Sequence, residues 1–150
     1  MNGDGATLLA MPRMNPAWDP LFARFTQLHA GWPARRWSWD SRFICITSSF
    51  TIEFEAQARM VAKAAFPDEF TSTTIAKASP EIKRLAERTG GLRAGQFLLG
   101  TSDAPALTPF GLWWPWGDGA TTSFRVGLAE LEWNEDPYPR VREIFDVLTG

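Results

Sequence analysis

Aromatic side chains constrain this sequence more than any other feature, because eight tryptophans and 11 phenylalanines need a large buried volume. Of its 150 residues 45% are apolar and 21% are charged, which is ordinary for a folded protein. This composition excludes a disordered chain, a collagen-like fibre and a coiled coil. The sequence has no internal repeat and no linker, so we expect a flexible N-terminal tail over residues 1–15 and a single domain over 16–150.

Helix and strand signals are interspersed along the chain and predict an α+β fold. Pro-containing start signals precede three helices, which begin at Asp19, Ser79 and Asp136. Apolar runs predict strands at 36–39, 42–47, 96–100, 111–116 and 122–132. Residues 50–66 fit both periods, and we divide them into a strand up to residue 55 and a helix up to 66. We expect a mainly antiparallel sheet, with the N-terminal, central and C-terminal helices packed on one face.

Three indoles fall within four positions of the run 112–116. On a strand, Trp114 and Trp116 lie on one side and Trp113 lies on the other. Because proline cannot donate a hydrogen bond to a neighbouring strand, Pro115 predicts that this strand lies at an edge of the sheet. An edge strand exposes unpaired backbone groups, which another chain can bind.

A second pair of indoles, Trp37 and Trp39, lies beside Arg35 and Arg36 on another predicted edge strand. Tryptophan and arginine dominate binding hot spots, since each covers a large area and keeps a polar group. The competing interpretation is that all these rings belong to the core. The exposure of the five rings in a structure distinguishes the two.

Charge and cysteine content exclude several function classes. The net charge of −2 and the pI of about 5.4 argue against nucleic-acid binding. Stacking of a single strand, with Arg35, Arg36 and Arg42 on its phosphates, is a weaker alternative. Cys45 is the only cysteine, so neither an internal disulfide nor a cysteine-based zinc site is expected, and a cytoplasmic location follows. No apolar stretch approaches the roughly 18 residues of a membrane span.

Carboxylates provide the enzymatic alternative. Glu53 and Glu55 share a face if they lie on a strand, where they are candidates for an acid–base pair. His29, the only histidine, would orient a ligand or act as a base, although a helix C-terminus is a sufficient structural reason for it. A second acidic group, a candidate for Mg²⁺ binding, comprises Glu130, Glu132, Glu135 and Asp136.

These observations predict a non-catalytic protein-binding module of bacterial origin, without cofactor or metal, that recognises a single protein partner. Its composition, rich in arginine and poor in lysine, suggests the bacterial source. Immunity proteins come first within this class, followed by chaperones and accessory proteins of defence systems. The predicted partner-binding residues are Trp113, Trp114, Trp116, Asp118, Arg35, Arg36, Trp37 and Trp39. The alternative is a small enzyme or ligand-binding protein with a Trp-lined pocket and a carboxylate pair.

Overall fold

The computed structural model describes residues 15–34, 36–102 and 107–147, so Arg35 and residues 1–14 of the predicted tail lie outside the described part. The helices are α1 (Asp19–Gly31), α2 (Glu55–Ala65), α3 (Pro80–Arg88) and α4 (Tyr138–Ile144). The strands are β1 (Ser38–Asp40), β2 (Cys45–Thr51), β3 (Asp68–Phe70), β4 (Phe97–Gly100), β5 (Pro109–Pro115) and β6 (Thr121–Leu128). Short 3-10 turns occupy Pro16–Trp18, Ile52–Phe54 and Ile75–Lys77.

All six described strands form one antiparallel sheet in the order β1-β2-β6-β5-β4-β3. The predicted α+β class with a mainly antiparallel sheet is therefore confirmed. The hairpin β5–β6 and its neighbour β2 provide the long central strands. The short strands β1 and β3 lie at the two edges.

The tryptophan-rich strand β5 lies between β4 and β6, so the predicted edge position of residues 112–116 is wrong. The register explains why its prolines are tolerated there. Pairing with β4 involves only Gly111–Trp113, and Pro109 and Pro115 lie just beyond each end of that pairing. At those positions no β4 carbonyl loses a donor when the N–H is missing.

Residues 42–55 also differ from the two strands predicted for them, because β2 runs without a break through Ser48 and Ser49. Both hydroxyls have partners within the fold. Ser48 Oγ accepts a hydrogen bond from Trp32 Nε1 at 2.9 Å, and Ser49 Oγ lies 2.9 Å from Ser123 Oγ on β6. Serines with such partners need not end a strand, and the chain enters α2 only after one 3-10 turn.

Helices cover the two faces of the sheet unequally. α1, α2 and α4 pack on one face, here called the three-helix face, as predicted for the N-terminal, central and C-terminal helices. α3 packs on the opposite face, here called the α3 face, where Ile82 and Leu85 contact Leu98 and Leu112 of the central strands. On the part of the α3 face formed by β2 and β6, Ser49 and Thr51 are exposed and Thr47, Thr121 and Arg125 are half-buried, so this part is only partly covered.

Candidate functional site

The indoles of β5 divide between the two faces as the strand period predicts. Trp113 is only 2% exposed and stacks on Phe97 in the three-helix core, with ring centroids 5.4 Å apart. It therefore presents no surface to a partner in the free chain. Trp114 is half-buried on the α3 face, and Trp116 lies beyond the end of the strand with 51% of its surface exposed.

Trp116 is exposed but held in place. Its Nε1 donates a hydrogen bond of 2.8 Å to Ser123 Oγ, and that hydroxyl in turn contacts Ser49 Oγ at 2.9 Å. Its backbone N–H also donates to the carbonyl of Thr121, which continues the hairpin ladder. The ring is therefore presented by the sheet in one orientation, and its rotamer freedom is already reduced before any binding.

Arg125 on β6 connects aromatic residues on the partly covered part of the α3 face. Its guanidinium lies 4.9 Å from the Trp114 ring and 5.4 Å from the Phe43 ring. Its Nε donates to Asp40 Oδ2 at 3.2 Å, and both side chains are only 15% exposed. A well-packed ion pair of this kind holds the arginine between the two rings.

Arg42 completes this surface. Its guanidinium lies 4.3 Å from the Phe43 ring, and it forms no ion pair with any described residue. Phe43 in turn lies 6.1 Å from Trp114. We call the set Arg42, Phe43, Trp114, Trp116 and Arg125 the aromatic–arginine patch.

Asp118 supports the patch from the hairpin turn. Its carboxylate accepts hydrogen bonds from the N–H groups of Ala120 and Thr121, each at 2.9 Å, and from the Thr121 hydroxyl at 2.8 Å. These bonds, the one from Ala120 first, hold the pKa of Asp118 below its usual range. The Asp118 carboxylate therefore stabilises the turn that joins β5 and β6.

In the other predicted group, Trp37 and Trp39 lie on the three-helix side and do not join the patch. Trp37 is 8% exposed and packs on Phe145 at 4.7 Å, so it belongs to the core. Trp39 lies on the edge strand β1, as predicted, and is half-buried. Arg36 is exposed.

Trp39 forms one wall of a groove of about 520 Å³ between β1 and the start of α4. Trp133, Tyr138 and Arg142 also line this groove. The Arg142 guanidinium lies 3.9 Å from the Trp39 ring. A Trp-lined pocket is therefore present, and it is formed by residues that the sequence interpretation did not bring together.

The carboxylates predicted for catalysis lie elsewhere. Glu53 lies on the 3-10 turn before α2 and Glu55 is the first residue of α2, so the expected shared face on a strand is wrong. Both are exposed, Glu53 accepts a hydrogen bond from the Thr51 hydroxyl, and neither lines the groove at Trp39. Glu130 accepts the N–H of Thr108. His29 is half-buried and packs edge-on against the Phe145 ring at 5.8 Å.

Burial controls the two perturbed groups of the interior. It raises the pKa of the Cys45 thiol to about 12, which keeps the thiol protonated and unreactive. It also raises the pKa of Tyr138 above its ordinary value. Within residues 15–34, 36–102 and 107–147, no group of three or more His, Cys, Asp or Glu side chains has the geometry to hold a metal ion.

No known protein family, curated protein or solved structure matches this chain. In the part of the chain that the structure describes, no helix has both the length and the apolar character to cross a membrane.

The site residues that sequence reasoning missed are Phe43 and Arg125 in the patch, and Trp133, Tyr138 and Arg142 in the groove. Phe43 precedes the buried run of β2, and its sequence predicted a strand where the chain forms a turn. Arg125 lies between two buried residues of β6, and this alternation indicates that its side chain points to the opposite face of the sheet from theirs. Its pairing with Asp40 depends on the strand order, which the sequence does not show.

Proposed function

We propose that this chain is a non-catalytic protein-binding module that recognises one protein partner through the aromatic–arginine patch. The observation that carries the proposal is Trp116, which is 51% exposed yet hydrogen-bonded to Ser123 on the partly covered α3 face. Together with the half-buried Trp114 and Phe43 on the same face, this ring contributes to an apolar surface, and contiguous apolar surfaces rimmed by polar residues often mark interaction sites.

The patch has the composition and the rigidity of a binding hot spot. Tryptophan and arginine contribute most where they are anchored and surrounded by contacts that exclude water. Here Arg125 is held between Trp114 and Phe43, and Trp116 is held by a serine hydroxyl. Because this surface is already ordered, its side chains would lose little conformational entropy when a partner binds.

Charge favours an acidic partner surface. Asp40 compensates the charge of Arg125, whereas the exposed Arg42 has no carboxylate partner among the described side chains. The complementary surface would have an apolar pocket for the Trp116 ring and at least one carboxylate beside it. Within this class we retain a bacterial immunity protein in the cytoplasm as the first candidate, followed by a chaperone or a defence-system accessory.

The test places a photo-crosslinking residue at position 116, and at Met60 as a matched control. Met60 is 67% exposed on α2, on the other side of the sheet. The product of the neighbouring gene is the first protein to assay, followed by calorimetry with purified variants. We expect crosslinking at 116 only, and a loss of about 2 kcal/mol in binding free energy, or roughly 30-fold in Kd, for Trp116→Ala. Arg42→Gln should weaken binding less than Trp116→Ala does. The effect of Arg42→Gln should be larger at low salt than at high salt, because salt screens the attraction between charges.

Two results would contradict the proposal. One is a confirmed partner whose affinity changes by less than about 0.5 kcal/mol in both Trp116→Ala and Arg42→Gln. The other is saturation of the patch by a single-stranded oligonucleotide with a steep salt dependence, which would make nucleic acid the partner.

A further inference from the structure

The groove at β1 and α4 has the architecture of a small-molecule site. Tyr138 is buried and forms its floor, and the rings of Trp39 and Trp133 meet it edge-on at 5.3 and 5.5 Å. The two indoles thus form aromatic walls on either side of the floor. A volume of about 520 Å³ is within the usual range of ligand pockets.

The charged side chains that line the groove differ in whether they already have a partner. Asp136 Oδ1 accepts the N–H of Tyr138 at the start of α4, and Glu143, which also lines the groove, pairs with the exposed Arg140. Arg142 lies on the Trp39 ring and has no carboxylate partner among the described residues. The groove therefore offers a guanidinium, which is the side chain best suited to bind a carboxylate through two parallel hydrogen bonds.

Two buried donors at the groove lack acceptors among the residues that the structure describes. Trp133 Nε1 and Arg142 Nε are both covered and have no hydrogen-bond partner in that part of the chain. A buried donor without an acceptor costs about 1–3 kcal/mol, so such groups are rare in folded proteins and call for an explanation. A ligand in the groove that offers acceptor oxygens would supply acceptors at this place.

Backbone strain is found at the same place. Ile44 lines the groove with a φ of 53°, in the left-handed region that a β-branched residue very rarely adopts. Its carbonyl oxygen accepts a 2.8 Å hydrogen bond from the Tyr138 hydroxyl, which holds the strained residue against the floor of the groove. Strain of this kind is concentrated at binding sites.

We propose that this groove binds a small organic anion with a flat aromatic body and one carboxylate. The aromatic body contacts the Trp39 and Trp133 rings, and the carboxylate accepts hydrogen bonds from Arg142. The site shares no residue with the aromatic–arginine patch, so it does not depend on the proposed protein partner.

Three probes of one shape and different charge test this assignment: 1-naphthoate, the neutral 1-naphthamide and the cationic 1-naphthylmethylammonium. Binding is followed through the indole N–H signals of the ¹⁵N-labelled full chain, with Trp39→Phe and Trp133→Phe spectra to assign the two signals. We expect naphthoate to shift both signals and saturate, and naphthamide to bind about tenfold more weakly, because it loses the charge-assisted hydrogen bonds.

Arg142→Gln should reduce naphthoate affinity to that of naphthamide, and Arg142→Lys should give an intermediate value because it keeps the charge but loses the planar donor pair. Arg84→Gln is the matched control, since it removes an equal charge from the exposed surface of α3. The indole spectrum of each variant reports whether the fold is intact. The proposal is overturned if no probe shifts these signals at millimolar concentration, if the cation or the amide binds as tightly as the anion, or if Arg142→Gln leaves naphthoate affinity unchanged.

Discussion

The Tyr138 hydroxyl is the group whose removal we predict to have the clearest consequence. It donates a hydrogen bond to the Ile44 carbonyl at 2.8 Å and accepts one from the Leu128 N–H at 2.9 Å. It therefore ties α4 to the end of β6 and to the turn before β2. Tyr138→Phe keeps the ring and removes both bonds.

The loss of stability in Tyr138→Phe follows from the two backbone groups that lose their hydrogen-bond partner. The Leu128 N–H is buried and loses its acceptor, which costs about 1–3 kcal/mol. The Ile44 carbonyl loses its donor, although Ile44 is 36% exposed and water can replace part of that bond. We expect a total decrease of about 2–3 kcal/mol in the free energy of unfolding, or about 5–10 °C in Tm for a chain of this length. Urea unfolding and calorimetry measure the two quantities.

The matched control is Thr51→Val, which removes a hydroxyl whose hydrogen bond to Glu53 lies at the surface. We expect this control to change stability by less than about 0.5 kcal/mol. Hydrogen exchange at the Leu128 amide provides a local readout, since the bond to Tyr138 protects that amide. Our reasoning would be refuted if Tyr138→Phe left both the stability and the exchange rate of Leu128 at wild-type values.

Two further predictions concern the interior of the sheet. In Gly111→Ala the new Cβ would lie 2.5 Å from the Phe124 ring, so we expect a loss of about 1–3 kcal/mol or more. Gly117→Ala is the control for this variant. Because no atom lies within 4 Å of the added Cβ, it should leave the midpoint of urea unfolding nearly unchanged. Equal midpoints for Gly111→Ala and Gly117→Ala would contradict the packing described. The Cys45 thiol has a raised pKa of about 12, so its stabilising contribution is complete below the unfolded pKa and decreases as pH rises towards 12. The native chain should therefore resist thiol reagents near pH 8, and rapid labelling of the folded chain would contradict this. Stability should fall above about pH 9 more steeply in the wild type than in Cys45→Ala, which keeps only the contribution of the buried Tyr138 hydroxyl above about pH 10.

Local patterns predicted most of the fold because they report burial along one element at a time. The division of Trp113 from Trp114 follows directly from the strand period of two, and the start of α1 follows from Asp19-Pro20. The position of β5 within the sheet could not be predicted in this way. A proline in the sequence shows that one backbone N–H donor is missing. The length of the neighbouring strand β4 determines whether a carbonyl lies opposite that position and is left without a donor.

The candidate sites could be predicted only in part, since each combines residues from distant segments. The composition drew attention to Trp114 and Trp116, which lie in the patch. It gave no sign that Arg125 would lie between Trp114 and Phe43, because this contact needs the register of β2, β5 and β6. Arg142 likewise resembled an ordinary exposed residue of the C-terminal helix until its contact with Trp39 was known.

The edge strand β1 shows why the two proposed sites should be tested separately. Trp39 and Asp40 are adjacent in sequence, yet Trp39 lines the groove on the three-helix side, whereas Asp40 pairs with Arg125 in the patch on the α3 face. Successive residues of a strand point to opposite faces, so a deletion or a block substitution of β1 would damage both sites at once. Single substitutions avoid this: Trp39→Phe tests the groove and leaves the Asp40–Arg125 pair, while Arg42→Gln tests the patch and leaves the groove.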